Sequence, residues 1–363
     1  MRSPSALALL AALVQAAPLA AQTVTPRYGA VFDTFTITRV GQGVIAFIAP
    51  DSRSAFVTGN TTLVIGRDAA LVVDAGHFPS LTRKLIAEIR RQSPVPVRYL
   101  VNTHWHEDHV AGNAEFVKAF PGLVIVGTTA TRDTIVSKVP GMIADEVASY
   151  PGYLTELRRM LTAGTRPDGS PIPPFSLEYN RNEANDLERA IGELRQVVVA
   201  PPTRAFDREL TLDLGRRTVE LRFLGLGNTP GDAVVWVPDA RVVATGDLLV
   251  APTPYAFGSF IGAWPATLRA LMQLPAAAIV PGHGPVMHEW SYASLVAETL
   301  DTLGAQMRRA VAETGSLDSA RTRIDLGTFR TKFTDGNPYL ERAFDRFFLP
   351  SAIERAWHEA HPG

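Results

Sequence analysis

The chain of 363 residues contains no cysteine, which excludes disulfide bonds and a lipid-bearing cysteine anchor. It also has no excess charge: 35 Lys and Arg residues against 36 Asp and Glu residues give a formal net charge of −1. No long run carries one sign, so we expect neither a nucleic-acid surface nor a polybasic membrane patch. Histidine is scarce, with eight residues. A content of 46% hydrophobic and 20% charged residues excludes disorder and indicates a buried core.

The N-terminal stretch MRSPSALALLAALVQAAPLAAQ has one arginine and then an apolar run that ends in small residues. This pattern is typical of a secretory signal peptide, and we predict residues 1–21 as the signal, cleaved after Ala21. A membrane anchor is the alternative, but the run is short and is broken by Gln15 and Pro18. We therefore expect an exported protein, periplasmic or secreted, without a stable membrane anchor.

Strand-like and helix-like segments alternate after residue 43. The runs VIAFIA, TTLVIG and ALVVDAG predict strands, whereas the spacing of Leu81, Leu85, Ile86 and Ile89 predicts a helix over residues 80–92. The strand-like VRYLVNT, the helix-like AGNAEFVKAF and the strand-like GLVIVG follow in that order. Such alternation indicates the α/β fold class.

Residues 130–200 interrupt this alternation with two helical stripes that a Pro- and Gly-rich stretch, RPDGSPIPPF, connects. The stripes consist of Leu154, Leu157 and Leu161 and of Leu187, Ile191, Leu194 and Val198. We predict a helical insertion at about residues 139–198, which serves as a lid over a site, as a scaffold or as a dimer contact. The insertion belongs to one domain over residues 22–315. Residues 316–363 are predicted to form a helical C-terminal extension that docks through Leu340, Phe344 and Phe347.

Three of the eight histidines lie in the stretch NTHWHEDHVAGN, residues 102–113. In a regular helix His104, His106 and His109 would not converge, because residues two apart point in different directions. On a loop that leaves a strand, His104 and His106 can face one point while Asp108 and His109 face another. Imidazole and carboxylate groups bind zinc and related divalent ions, so the stretch indicates a two-metal site. The alternative is a set of solvated loop histidines.

The stretch HWHEDH resembles the signature of the metallo-β-lactamase-fold hydrolases. This superfamily includes β-lactamases, glyoxalase II-type thioesterases, lactonases and phosphodiesterases. The resemblance covers roughly residues 43–290, because four other family landmarks occur in the family's order: VVDAG with Asp74, NTPGD, TGDLL and PGHGP. It implies a four-layer αββα sandwich, with the metal site at one edge between the two sheets.

The resemblance also implies a set of metal ligands. In that set His104 and His106 hold a first metal, Asp108, His109 and His283 hold a second, and Asp247 bridges them. The family places a third histidine on the first metal, but this chain has Asn228 there. Because an amide oxygen is a weaker zinc ligand than imidazole, we expect the second site to bind more tightly. Two other interpretations stay open for Asn228, a contact with substrate and a plain turn residue.

The resemblance implies a hydrolase that binds one or two Zn²⁺ ions, with another divalent metal as the alternative. Zinc lowers the pKa of a bound water to about 7, and Asp108 is the predicted catalytic residue that orients this nucleophile or relays its proton. The expected partner is a small-molecule substrate with an ester, lactone, thioester or amide bond. The sequence leaves the oligomeric state open.

Three rival functions remain: a true β-lactamase, a catalytically impaired metal- or ligand-binding protein, and an iron redox protein. Two β-lactamase subclasses use a cysteine at the position of Asp247, and the third typically has a serine there, so a β-lactam is not the default substrate. Nearby, His77 is either a supporting group for the site or a plain loop residue. The aromatic residues of the segment 252–264 either line a substrate pocket or pack in the core: Tyr255, Phe257, Phe260 and Trp264.

Overall fold

The computed structural model describes residues 24–361, so the predicted signal peptide lies outside the described residues. Its strands are β1 (Thr36–Gly41), β2 (Val44–Ile48), β3 (Thr61–Ile65), β4 (Ala70–Val73), β5 (Val97–Val101), β6 (Val124–Thr128), β7 (Arg204–Phe206), β8 (Glu209–Asp213), β9 (Thr218–Phe223), β10 (Ala233–Val237), β11 (Val242–Val250) and β12 (Ala278–His283). Its helices are α1 (Pro79–Gln92), α2 (Glu107–Val110), α3 (Asn113–Ala119), α4 (Thr129–Ala163), α5 (Pro174–Leu194), α6 (Trp264–Leu271), α7 (Ser291–Glu313), α8 (Leu317–Arg321), α9 (Gly327–Thr334), α10 (Pro338–Ala343) and α11 (Leu349–Ala360).

The strands form two sheets. The first has the order β1-β2-β3-β4-β5-β6-β7, antiparallel from β1 to β4 and parallel from β4 to β7. The second has the order β12-β11-β10-β9-β8, in which β11 and β12 are parallel and the other pairs are antiparallel. Parallel neighbours need a crossover, and α1, the α2–α3 segment and α6 supply such crossovers.

The two sheets pack face to face and a helical layer covers each outer face. Val44 and Val64 of the first sheet pack with Val235 and Val280 of the second to form the central core. Neighbouring residues on the same strands, such as Ile45, point the other way and pack under α1, because side chains alternate across a strand. The second sheet is covered in the same manner by α6, α7 and α11. The expected four-layer αββα sandwich is confirmed.

Helices α4 and α5 occupy the region in which the insertion is predicted, but α4 begins ten residues before residue 139. Thr128 caps its start by accepting a hydrogen bond from the Thr131 backbone N–H. Ile135, Val139 and Ile143 then form a buried stripe along its first half. The residues of this stripe are β-branched and favour helices only weakly. Tertiary packing therefore determines where α4 begins.

The second half of α4 packs against α5 and α1. Leu157 and Leu187 are buried between the two helices, and Leu81 of α1 contacts the same cluster. Helix α5 ends at Leu194, so the placement of Val198 on the second stripe is wrong: the residue lies beyond the helix and is exposed. We refer to α4, α5 and the segment from Pro338 to Ala360 as the cover, because they close the site described below.

The C-terminal segment docks on α7 and α6 through a π-helical turn, Phe344–Phe348, followed by α11. Leu340 and Phe344 are buried there, whereas Phe347 points into the cavity of the site. The division of the chain into domains at residues 22, 139, 198 and 316 stays a prediction. Among residues 24–361, no helix is both long and apolar enough to cross a membrane.

Candidate metal centre

The six predicted ligands with His or Asp side chains converge at one edge of the sandwich. His104 and His106 lie on the loop that leaves β5, and the short helix α2 carries Asp108 and His109. Asp247 lies on β11, and His283 ends β12. Strands β5, β11 and β12 each belong to a parallel pair, and parallel strands end at a common edge, so ligands distant in sequence meet there.

Asp108, His109 and His283 form one compact group. His283 Nε2 lies 2.9 Å from Asp108 Oδ2, and His109 Nε2 lies 3.2 Å from His283 Nε2 and 3.5 Å from Asp108 Oδ2. Bonds of about 2.0–2.2 Å to a tetrahedral zinc ion separate ligand atoms by roughly 3.3 Å. These three atoms therefore have the spacing of one metal coordination sphere.

His104, His106 and Asp247 form the second group. His104 Nε2 lies 3.0 Å from His106 Nδ1 and 3.5 Å from Asp247 Oδ2, and His106 Nδ1 lies 3.8 Å from the same oxygen. The other oxygen, Asp247 Oδ1, faces His109 Nε2 at 3.1 Å and His283 Nε2 at 3.6 Å. Asp247 thus presents one oxygen to each group.

Asp74 and Thr103 fix the orientation of two of the histidines. Asp74 accepts hydrogen bonds from the Thr103 backbone N–H and hydroxyl, both at 2.8 Å, and contacts His109 Nδ1 at 2.9 Å. Since the Thr103 hydroxyl donates to Asp74, its oxygen accepts from His104 Nδ1 at 3.0 Å. Both rings therefore carry their proton on Nδ1 and direct the free lone pair of Nε2 into the site.

Contacts made by the Gly59 backbone and the Asn60 side chain hold His109 and His283 close together. The Gly59 N–H donates to the Asp108 carbonyl, and a Cβ at Gly59 would collide with the His109 ring. Asn60 Nδ2 donates to the carbonyls of Pro281 and Gly284, each at 2.9 Å. These two residues lie on either side of His283 in the chain. Sequence reasoning missed Gly59 and Asn60, because Gly-Asn alone indicates only a turn.

The electrostatics of the centre are those of a cation site. Burial, assisted by His109, lowers the pKa of His104 to about 4, which keeps its imidazole neutral. Burial alone would raise the pKa of Asp247, but His109 and His283 outweigh it and hold the pKa well below its usual range. Conversely, burial would lower the pKa of His109, but Asp247 and Asp108 outweigh it and raise this pKa. Anionic oxygens therefore dominate the centre.

A divalent ion fits this arrangement. Asp247 Oδ1 and His106 Nε2 are buried and have no hydrogen-bond partner within residues 24–361. Two sets of ligand atoms each lie within 4.8 Å of one another: His104, His109 and Asp247, and Asp108, His109 and His283. Nitrogen and carboxylate donors that converge in this way suit zinc and other divalent metals. The metal-binding role of each residue remains a prediction.

Asn228, the seventh predicted ligand, has a different environment. Its side chain is buried, and its Oδ1 accepts a hydrogen bond of 2.8 Å from the Ser259 hydroxyl. Its Nδ2 has no partner in the part of the chain that the structure describes. The structure thus brings together six of the seven residues, while a hydrogen bond to Ser259 holds Asn228.

A cavity of about 370 Å³ opens over the metal ligands. Its floor includes His106, Asp108, Asp247 and His283, and its opposite side is formed by the cover. Two of the four aromatic candidates, Tyr255 and Phe257, line this cavity, whereas Trp264 is buried in the core. His77 also lines the cavity, with its Nδ1 at 2.9 Å from the Val57 carbonyl, so it is more than a plain loop residue.

A pair of carboxyl groups on the cavity wall was not found from the sequence. Glu107 of α2 faces Glu146 of α4, and the Tyr150 hydroxyl donates to Glu146 Oε1 at 2.7 Å. Burial, and then the charge of Asp108, raises the pKa of Glu107 to about 7, and burial, and then the charge of Glu107, raises the pKa of Glu146 to about 7. The i, i+4 spacing of Glu146 and Tyr150 was the available signal, but nothing in it pointed to a site.

The αββα sandwich carries a cluster of histidines and aspartates at one edge. The model of the metallo-beta-lactamase superfamily matches residues 55–135 and 150–283, more than half of the chain. The chain therefore belongs to the metallo-β-lactamase superfamily, as the motifs predicted.

Known relatives are distant. A linear primary-alkylsulfatase from Pseudomonas sp. (strain ATCC 19151) is 24% identical over 60% of this chain and 40% of its own length. A hydroxyacylglutathione hydrolase from Nostoc punctiforme (strain ATCC 29133 / PCC 73102) is 33% identical over 21% of this chain and 26% of its own. The chain thus spans less than half of each of these relatives.

Among solved structures, a metallo-beta-lactamase from Pontibacter korlensis superposes with a TM-score of 0.52 at 20% identity, covering 74% of this chain and 99% of that one. This likeness supports the fold.

Proposed function

We propose that this protein is an exported zinc hydrolase that cleaves an ester, lactone, thioester or amide bond in a small molecule. The observation that carries this proposal is the position of Asp247, whose two oxygens face two separate groups of ligand atoms. A carboxylate in this position suits a pair of ions rather than a single closed site. The cavity above it has the volume of a small-molecule pocket.

In this proposal His104, His106 and Asp247 hold one ion, and Asp108, His109, His283 and Asp247 hold the other. A divalent ion bound there supplies Lewis acidity, which lowers the pKa of water and polarises a carbonyl oxygen. The chain's own residues orient the reactants. Asp108 Oδ2 lies on the cavity floor, 2.9 Å from His283 Nε2, where it can accept and hand on a proton. Asp74 and Thr103 hold the imidazoles in position.

Asn228 makes the two ions unequal. The Ser259 hydroxyl can donate or accept, so a rotation of the amide keeps this hydrogen bond and exchanges Oδ1 with the unpartnered Nδ2. Either way the residue offers at most one neutral oxygen in place of an imidazole. The ion at His104 and His106 should therefore bind more weakly than the ion at Asp108, His109 and His283.

The cavity favours a substrate with an apolar body. Phe56, Trp105, Met142, Phe257 and Phe347 line it, and they bring hydrocarbon surface close to the metal ligands. A second candidate substrate is an alkyl sulfate ester, which the apolar lining and the similarity to an alkylsulfatase favour. A β-lactam remains the third candidate, with Asp247 in place of the usual cysteine or serine.

Metal analysis of protein purified without added metal tests this function, combined with reporters for lactone, thioester, phosphodiester, alkyl sulfate and cephalosporin cleavage. We expect zinc in the purified protein and turnover of a carbonyl ester or lactone that a chelator abolishes. Full metal loading without turnover of any reporter would favour a binding protein. Rapid turnover of the cephalosporin alone would identify a β-lactamase.

Export is tested separately. We expect the mature protein to begin at Gln22 and to be released with the periplasmic or culture fraction. A mature chain that retains Met1 in the cytosolic fraction would contradict this part of the proposal.

A further inference from the structure

One part of the cavity lining carries hydrogen-bond acceptors that lie outside the predicted metal centre. Glu107, Glu146 and His77 all line the cavity. Two of these side chains have a buried atom without a hydrogen-bond partner among residues 24–361, namely Glu107 Oε2 and His77 Nε2. Buried polar atoms are nearly always satisfied, so such atoms in a cavity wall indicate a missing ligand group.

His77 is the independent observation beside the two carboxyl groups. Its side chain is 7% exposed, and it stacks on Phe78. Because its Nδ1 faces the Val57 carbonyl at 2.9 Å, the ring carries its proton there and leaves Nε2 as a lone-pair acceptor. The ring, like the carboxyls, therefore offers an acceptor to the cavity.

Two protein donors in the cavity lining already have partners. The Tyr150 hydroxyl donates to Glu146 Oε1 at 2.7 Å. The Arg346 guanidinium, also in the cavity lining, lies 3.6 Å from the carboxylate of Glu183. Two unpartnered acceptors, in a cavity that opens to the predicted metal ligands, suit a ligand group that brings several N–H donors and positive charge.

We propose that Glu107, Glu146 and His77 form a subsite for a protonated amine of the substrate. This inference rests on the proposed hydrolase function and narrows its substrate class to small esters, lactones or amides that carry an ammonium group. The scissile bond lies over the metal ligands, and the ammonium donates to the acceptors across the cavity. Tyr150 is a positioning residue, since it holds the Glu146 carboxyl.

The test compares two probes of equal shape, phenethylamine and 2-phenylethanol, by isothermal titration calorimetry on the metal-loaded protein at pH 8. We expect the amine to bind at least about tenfold more tightly than the alcohol, as charge-assisted hydrogen bonds exceed neutral ones. Glu146→Gln should remove most of this preference, and Tyr150→Phe should reduce it about threefold. Glu156→Gln, an exposed substitution on the same helix, should leave it unchanged.

Equal binding of both probes to the wild-type protein would overturn the proposal. So would an amine preference that persists in a folded Glu146→Gln variant, because the amine would then be binding to the metal ions. Repeating the titration on metal-free wild-type protein and metal-free Glu146→Gln separates these cases, since an amine preference that persists without metal and is lost in the variant arises from the subsite. Failure of every hydrolysis reporter would reject the proposed function, whereas the probe titration would still decide the subsite.

Discussion

The two sides of the cavity are built differently. The floor consists of the predicted metal ligands at the ends of core strands, held by Asp74, Thr103 and Asn60 through short hydrogen bonds. The cover consists of helices whose contacts are mostly apolar, with a few charged groups facing inward. The floor lies within the region that the superfamily shares, whereas residues 136–149 of the cover fall outside the match. We therefore expect the floor to perform the chemistry of the proposed hydrolase and the cover to select its substrate.

The largest expected effect comes from the floor. His109→Ala removes the residue that contacts Asp108, Asp247 and His283. Hydrolysis of the best reporter should fall by about a thousandfold or more, and bound metal should decrease, because both ligand groups depend on this imidazole. Steady-state kinetics and metal analysis measure the two effects. Retained activity in a folded variant would refute the assignment of the floor.

A smaller effect is expected when Asp74, which contacts His109 from behind the floor, is changed. Asp74→Asn keeps the shape but removes the charge that His109 Nδ1 and Thr103 face. Loss of a partner behind a metal ligand typically costs 10–100-fold in metal affinity or activity. Competition with a chelator should show a loss in this range. A change below twofold would mean that Asp74 has a purely structural role.

A change in the cover should affect folding and leave the metal in place. Leu157 is 1% exposed between α4 and α5. Leu157→Ala should lower the free energy of unfolding by about 2–5 kcal/mol through the lost burial and the cavity left behind. Urea unfolding measures the loss, and the metal content of the native variant should equal that of the wild type. A parallel loss of metal would show that cover and floor are not independent.

The smallest effect concerns pH and Glu146. Its pKa is raised by burial and then by Glu107, from 4.5 to about 7 in the folded protein, so the unfolded chain loses its proton at lower pH. The stabilisation from this protonated carboxyl is therefore present below pH 4.5 and is lost as the pH rises towards 7. Glu146→Gln removes this dependence and should be more stable than the wild type by about 1–2 kcal/mol at pH 8.

Thermal melting from pH 4 to pH 8 checks this prediction. The difference between Glu146→Gln and the wild type should shrink towards pH 4. Glu156→Gln on the same helix serves as the contrasting control: Arg159 lowers the pKa of Glu156, so this variant should not be more stable than the wild type at pH 8. A constant difference at all pH values would contradict the raised pKa.

The floor was predictable from the sequence because its ligands form motifs. HWHEDH, TGDLL and PGHGP name the six residues, and the order of strands and helices places them at one edge of an α/β sandwich. The cover was predictable only in outline. The leucine stripes revealed two helices, but the start of α4 at Thr129 depends on packing of Ile135 and on the Thr128 cap.

The residues of the cavity wall could not be predicted from the sequence, for a related reason. Glu146 and Tyr150 follow no motif, and their meeting with Glu107 depends on how α4 lies over α2. Phe347 illustrates the same point, since its apolar character indicated docking and the π-helical turn directs it into the cavity instead. Long-range packing decides such positions, and local patterns do not encode it.

The proposed metal centre is a pair of unequal sites that share Asp247, with Asn228 as the cause of the inequality. Zinc titration of metal-free wild-type protein and of Asn228→His, followed by calorimetry, tests it most directly. We predict two ions per wild-type chain with affinities at least about tenfold apart, and a tighter weak site in Asn228→His. A single ion in the wild type, or an unchanged weaker affinity in the variant, would contradict the account.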